Sequence, residues 1–359
     1  MRVAIIADTP YQILNATNLY WNHYRGKEGV LTDCYIVDQF RNAHQIYERI
    51  LEQELFDNVY FLRREENRFM PQGWKRSLRV AYSYLNPAHA IRNQFDGKIP
   101  RRKYDQIYSS VMQCFTASML KLNPKAEFML YDDGTGSYSG DLVSNGGGKA
   151  YKLFSKLTGT GANAARPKKL FVNNVPMCHS HSADEICAMP EFNQEFLNVA
   201  YKIFAVGAQE KPLEGIIMLS APDDNEYHTR LMNTMADWMR PWKDRVLVRM
   251  HPRDRNYARY ADFKVDDKGE MWELKISQMN MDKILLIGHY STAHLTPKLL
   301  YNKEPWLMFT IFMNEPDEQL SEGHPVWDLM NSYTHKERIL FPRSEEEMAQ
   351  QINMFLNQI

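Results

Sequence analysis

The chain has little of what makes several functional classes easy to read. Its four cysteines, Cys34, Cys114, Cys178 and Cys187, are spread over 359 residues without CxxC spacing, which argues against a disulfide framework and against a redox dithiol. Free thiols in a reducing cytoplasm are the expectation. Cys178-His179-Ser180-His181 with Cys187 fits no zinc-ligand spacing, so no metal site is expected. No apolar run approaches the roughly 18 residues of a membrane span. The opening Met1-Arg2-Val3-Ala4-Ile5-Ile6 reads as a strand and not as a signal peptide. The expectation is a cytoplasmic protein, peripheral on the inner membrane at most.

Charge of one sign is lacking too. Lys+Arg number 43 against 44 Asp+Glu, a formal net charge of -1, which leaves no global field to draw the protein onto nucleic acid. Basic residues do gather in the first half, at Arg63-Arg64, Lys75-Arg76, Arg101-Arg102-Lys103 and Arg166-Pro167-Lys168-Lys169. They read either as solvated helix ends and turns or as a surface for anionic glycan or lipid headgroups. Neither GxGxxG nor a P-loop GKS/T stands at a strand-to-helix turn, which weakens dehydrogenase and phosphotransferase readings. No solenoid-length repeat occurs.

What is present is ordinary core material, 44% hydrophobic and 24% charged residues, in a chain longer than the roughly 250–300 residues at which one core stops growing. Two α/β domains are expected. Val3–Ala7 reads as a buried strand, and Thr9-Pro10-Tyr11-Gln12 opens a helix with Thr9 as N-cap and Pro10 at its first position. Further strand-like runs lie at Asp33–Val37, Val59–Leu62, Gln106–Ser109 and Glu127–Tyr131. A second series runs through Gly215–Leu219, Val246–Met250, Lys283–Ile287 and Trp306–Phe309. Strands separated by helix-length segments imply βαβ units and parallel sheets. The polar stretch Asn173–Glu185 is the expected junction, giving domains 1–175 and 176–359. A terminal helix is expected from Ser344, its cap, through Leu356.

Functional groups in such sheets collect at the carboxyl ends of strands, and four segments follow predicted strands there. Tyr131-Asp132-Asp133-Gly134-Thr135-Gly136-Ser137-Tyr138 sets adjacent carboxylates before glycines, where a ligand can approach the backbone and a carboxylate can deprotonate a sugar hydroxyl. The same DDG is also a common turn. Ser220-Ala221-Pro222-Asp223-Asp224 offers either a helix cap or another catalytic carboxylate. Arg249-Met250-His251-Pro252-Arg253 places an imidazole among arginines, suited to a leaving phosphate. Gly288-His289-Tyr290-Ser291-Thr292 puts hydroxyls at a helix N-terminus, where phosphate binding and ordinary capping use the same atoms.

These four segments in this order resemble the bacterial sialyltransferases of glycosyltransferase family 52, through YDDGTGSY at 131–138, SAPDD at 220–224, RMHPRD at 249–254 and STAHLT at 291–296, with TPYQIL at 9–14 also similar. The acidic-acidic-Gly and His-Pro elements are shared with polysialyltransferases and other bacterial sialyltransferase families. The resemblance implies a GT-B fold, two Rossmann-like domains whose parallel sheets face a central cleft. It implies CMP-sialic acid as the donor substrate, inversion at the anomeric carbon, no metal and no other cofactor. The acceptor it implies is a hydroxyl of a terminal sugar, galactose above all, on lipooligosaccharide, lipopolysaccharide or capsule. It assigns His251 to the donor phosphate and to CMP departure, and Ser291 and Thr292 to the same phosphate. Gly134, Arg249, Pro252 and Arg253 join the candidate donor-binding residues. Related families place the base in Asp132-Asp133-Gly134, whereas the nearest resemblance gives it to the carboxylate matching Asp223. A glycan or glycolipid acceptor, no nucleic acid, peripheral membrane contact and a homodimer complete the expected partners. The rivals are a GT-B glycosyltransferase with a glucosyl or other hexosyl nucleotide, and a non-catalytic nucleotide- or glycan-binding protein, which donor hydrolysis without acceptor would separate.

Overall fold

A computed structural model describes the chain apart from residues 41, 63–84, 89–90, 92–101, 113, 140–141, 143–155, 157–164, 209–213, 252, 255, 267–268 and 322–323. It divides into two compact units, Met1–Phe204 and Ala205–Ile359.

The first unit is built on β1 (Arg2–Ala7), β2 (Leu31–Val37), β3 (Asn58–Leu62), β4 (Gln106–Ser109), β5 (Glu127–Tyr131), β6 (Lys169–Val172) and β7 (Glu185–Ala188). They lie in the order β3-β2-β1-β4-β5-β6-β7, every pair parallel. The near-continuous apolar run of β1 reflects burial on both faces, since Val3 through Ala7 are at most 2% exposed. The helix Pro10–His23 follows β1 as expected, with the Thr9 hydroxyl accepting from the Gln12 N–H and Pro10 in its first turn.

The junction expected at 175 falls instead at 204. The polar stretch 173–185 is a connection inside the first unit, because Glu185–Ala188 pairs in register with Lys169–Val172. The helix Gln194–Phe204 then buries Phe196, Leu197, Ala200 and Ile203, and Ile203 joins the core cluster that holds Val3 and Ile5.

The second unit repeats the plan with β8 (Gly215–Leu219), β9 (Val246–Arg249), β10 (Lys264–Asp266), β11 (Ile284–Gly288), β12 (Trp306–Phe309) and β13 (Ile339–Leu340). Their order is β10-β9-β8-β11-β12-β13, again all parallel. Met218, Val248, Leu285, Ile287 and Met308 meet Met232, Met235 and Met239 of the helix Glu226–Met239 in one core, which the helix Glu345–Leu356 closes with Met348, Ile352 and Phe355. Ser344 caps that last helix through the Glu347 N–H.

Both sheets place their first three strands in the order third-second-first and continue outward from the first strand with the fourth. Each therefore has a topological switch point, between β1 and β4 and between β8 and β11, where open α/β sheets bind ligands beyond the carboxyl ends of the strands. Among the described residues no helix is long and apolar enough to cross a membrane. Of the basic segments, Arg63, Arg64, Lys75, Arg76 and Arg101 lie outside the described residues. The remainder have local partners: Arg102 with Asp33, Arg166 with Asp184, Lys168 with Glu127, Lys169 with Glu185, and Lys103 with the Leu122 carbonyl.

Candidate functional site

In the first unit β5 delivers Asp132 and Asp133 to the carboxyl edge of the sheet, where the chain turns through Gly134 at φ +93°. That left-handed backbone is the reason for glycine here. The Gly134 N–H donates to Asp132 Oδ1 at 2.7 Å. That bond closes the turn between Asp132 and Gly134.

Asp132 is fully buried. Besides Gly134 it accepts from the Tyr138 hydroxyl at 2.6 Å, the Asn173 N–H at 3.0 Å and the Asn173 side-chain amide at 2.9 Å. Burial pushes its carboxyl above the usual range while these four donors pull it back. Asp133 is also pushed up by burial and by the neighbouring Asp132, against hydrogen bonds from Gln12 and Ser110. It differs in access, being partly exposed. Its N–H is held by the Ser137 hydroxyl at 2.7 Å, and its Oδ1 accepts from Gln12 Nε2 at 2.6 Å.

The neighbours on the helix Pro10–His23 were not singled out from sequence. Gln12, Asn15 and Asn18 are 3%, 0% and 0% exposed, although a polar stripe at helical spacing normally reads as a solvated face. Asn15 donates to the Asp132 carbonyl at 3.0 Å, and Asn173 reaches Tyr11 and Asn15 as well as Asp132. The signal was present in TPYQIL but pointed to a helix start, and only packing against β5 shows where the amides go.

In the second unit β8, β9 and β11 are adjacent, which brings the SAPDD, RMHPRD and STAHLT segments to one sheet edge. The Ser220 hydroxyl accepts the His251 N–H at 2.7 Å. The Arg253 N–H donates to His251 Nδ1 at 3.1 Å, which makes Nδ1 an acceptor and leaves the proton on Nε2. Burial, with Arg253 nearby, lowers the imidazole's proton affinity. His251 is thus a neutral hydrogen-bond donor through Nε2 in the free protein. Pro252 lies outside the described residues.

The arginines and the second carboxylate pair are largely committed. Arg249 bonds Asp266 at 2.7 Å and the Glu270 carbonyl, in a cluster with Lys275. The pair with Asp266 ties β9 to β10. Arg253, 66% exposed, pairs with Asp224 at 3.0 Å, and Asp224 also holds His228. Asp223 accepts from the Thr229 hydroxyl and pairs with Arg259 at 3.3 Å, contacts that hold its carboxyl below the usual range.

Ser291 stands at the N-cap of the helix Thr292–Tyr301 but makes no capping bond with its side chain. Its hydroxyl lies 3.2 Å from His294 Nδ1. His289 Nδ1, His294 Nε2 and Thr310 Oγ1 are buried without a hydrogen-bond partner among the described residues. All three belong to the ends of β11 and β12, since His294 packs on Gly288 and the Thr310 N–H donates to the Gly288 carbonyl at 3.0 Å. Orphaned buried groups cost about 1–3 kcal/mol each. Among the described residues no group of three or more His, Cys, Asp or Glu is arranged to hold a metal.

No protein-family model and no curated protein sequence matches the chain. Solved structures do match by fold. A UDP-N-acetylglucosamine 2-epimerase superposes with TM-score 0.52 at 12% identity, covering 99% of this chain and 87% of its own. The glycotransferase of kitacinnamycin gives TM-score 0.52 at 7% identity over 99% and 90%. A sialyltransferase from Photobacterium damsela gives TM-score 0.47 at 15% identity over 95% and 81%. At these identities the likeness concerns fold, and the fold is GT-B: two Rossmann-like units with parallel sheets.

Proposed function

We propose that the protein is an inverting glycosyltransferase of the family 52 type, moving sialic acid from CMP-sialic acid to a hydroxyl of a terminal sugar, galactose above all, on a bacterial surface glycan. The observation that carries the reading is Asp133. It is a partly exposed carboxylate at the carboxyl edge of a Rossmann-like sheet, raised in proton affinity by burial and by Asp132, with Gln12 donating to its Oδ1 and its own N–H anchored on the Ser137 hydroxyl. A general base needs this combination of access, fixed geometry and raised pKa. Asp223 is the weaker choice because the Thr229 hydroxyl and the ion pair with Arg259 hold its pKa down, which makes its carboxylate a poorer proton acceptor.

In this reading the acceptor oxygen bonds to the anomeric carbon as its proton passes to Asp133, and the bond from that carbon to the CMP phosphate breaks. Negative charge grows on the phosphate. The second unit supplies the His251 Nε2–H, the Ser291 and Thr292 hydroxyls and the start of their helix for that charge. Arg253 adds an exposed cation. His251 acts as a hydrogen-bond donor to CMP, because its neutral form is favoured. The four motifs in order, 131–138, 220–224, 249–254 and 291–296, support the CMP-sialic acid donor, and the cationic and N–H donors support metal independence.

A nucleotide panel in a thermal-shift assay tests the donor. CMP is expected to stabilise the protein more than UMP, GMP or AMP, by about 2.7 kcal/mol at a hundredfold excess over Kd, and the shift is expected to persist in EDTA. A preference for a uridine or guanosine nucleotide overturns the sialyltransferase reading. Loss of the shift on chelation overturns metal independence.

A further inference from the structure

The Gln12 side chain is 3% exposed, and both ends of its amide are used. Oε1 accepts the Asp8 N–H at 2.6 Å, and Nε2 donates to Asp133 Oδ1 at 2.6 Å. Because a backbone N–H can only donate, the Asp8 contact fixes which end of the amide is oxygen. The nitrogen therefore faces Asp133. Gln12 also lies in the first turn of a helix whose Asn15 holds the Asp132 carbonyl, so one stretch of helix grips both residues of the carboxylate pair.

We propose that Gln12 is the positioning residue that holds the Asp133 carboxylate in its reactive orientation and in its ionised form; the proposal rests on Asp133 being the base. The donors facing Asp133, Gln12 and Ser110, are neutral. The titratable groups that act on it are Asp132 on the same turn and Tyr131 at the end of β5, and Asp8, just after β1, shares the Gln12 amide with it. All of these are acids, and among the described residues no basic side chain pairs with Asp133. Burial and Asp132 both favour the protonated, inactive form, so the Gln12 donor is a principal force against it. A neutral amide performs this without a fixed positive charge, which would hold the carboxylate too firmly ionised to take a proton.

The test is the pH dependence of transfer in Gln12→Met and Gln12→Glu. Activity rises with pH as the base ionises, and this acid limb reports its pKa. Gln12→Met keeps the length of the side chain and deletes the donor, so the limb is expected to move to higher pH. At pH values below the limb, kcat/KM then falls about tenfold for each pH unit that the limb moves, with CMP affinity unchanged. Gln12→Glu keeps an acceptor for the Asp8 N–H but sets a second carboxyl against Asp133. The pair would share a proton, and the limb is expected to move further in the same direction. A merely structural Gln12 would change the melting temperature or the plateau and leave the limb in place. Asp133→Asn separates the two claims. If it keeps near-normal transfer, Asp133 is not the base. If it loses transfer while both folded Gln12 variants keep the wild-type limb, the Gln12 proposal alone is overturned. Should Gln12→Met fail to fold, Gln12→Glu decides by the same criterion.

Discussion

Asp132 lies fully buried beneath four donors, whereas Asp133, one residue on, keeps access to solvent and two side-chain donors. The sequence shows two identical carboxylates and offers no means to divide the roles. The division arises beyond the end of β5 at Tyr131, where the turn sends the Asp132 carboxylate onto Gly134, Tyr138 and Asn173 and the Asp133 carboxylate onto Gln12. His294 makes a related point, since a histidine inside STAHLT reads as one more polar residue beside a phosphate site. It is instead fully buried against Phe309, with ring centroids 4.9 Å apart, and burial lowers its pKa to about 3. The consequence for stability is signed. Between pH 6.5 and about 3 the unfolded chain binds a proton at this position and the folded protein does not. Stability is therefore present above 6.5 and falls as pH drops, by about 1.4 kcal/mol per pH unit. His294→Gln removes this titration. In urea unfolding, the advantage of the wild type over this variant is expected to shrink as pH falls through that window. Parallel stability curves would show that His294 titrates normally.

At the scale of elements, the strands with strong apolar runs are legible and the others are not. Gly215–Leu219 and Trp306–Phe309 fall where the sequence places them, and Ile284–Gly288 lies one residue later. β6, β7, β10 and β13 escape because they are short, two to four residues, and begin with Lys, Glu, Lys and Ile in polar surroundings. Their strand character comes from edge-ward pairing in the sheet and not from their own composition. Gly288 shows how tightly the elements meet where the motifs converge. A Cβ there would lie 2.7 Å from His294 Cε1 and 3.2 Å from the Leu219 carbonyl oxygen. Gly288→Ala must push β11 away from β8 or from the following helix, at a cost of about 1–3 kcal/mol, and it should weaken CMP binding with it. Gly136→Ala is the matched control, because its Cβ meets nothing within 4 Å. Equal melting temperatures for the two variants would contradict this packing.

For the whole molecule, the sequence carried the two-unit α/β plan and the parallel sheets but put the division about thirty residues early. The polar stretch 173–185 has the composition of a linker, and only the pairing of β7 with β6 reveals that the first sheet continues through it. The four motifs were legible as strand-end segments, while Gln12, Asn15 and Asn173 were not, because their meaning lies in contacts 41 to 162 residues away in the chain. Labour divides accordingly in the proposed reaction: the first unit supplies the base, the second holds CMP and stabilises its departure. Asp133→Asn measures that division most directly, with sialyl transfer, acceptor-free hydrolysis of CMP-sialic acid and CMP binding followed on the same preparation. Transfer is expected to fall roughly 10²–10⁴-fold while CMP binding and acceptor-free hydrolysis persist. Near-normal transfer by folded Asp133→Asn, or equal loss of all three activities, would contradict it.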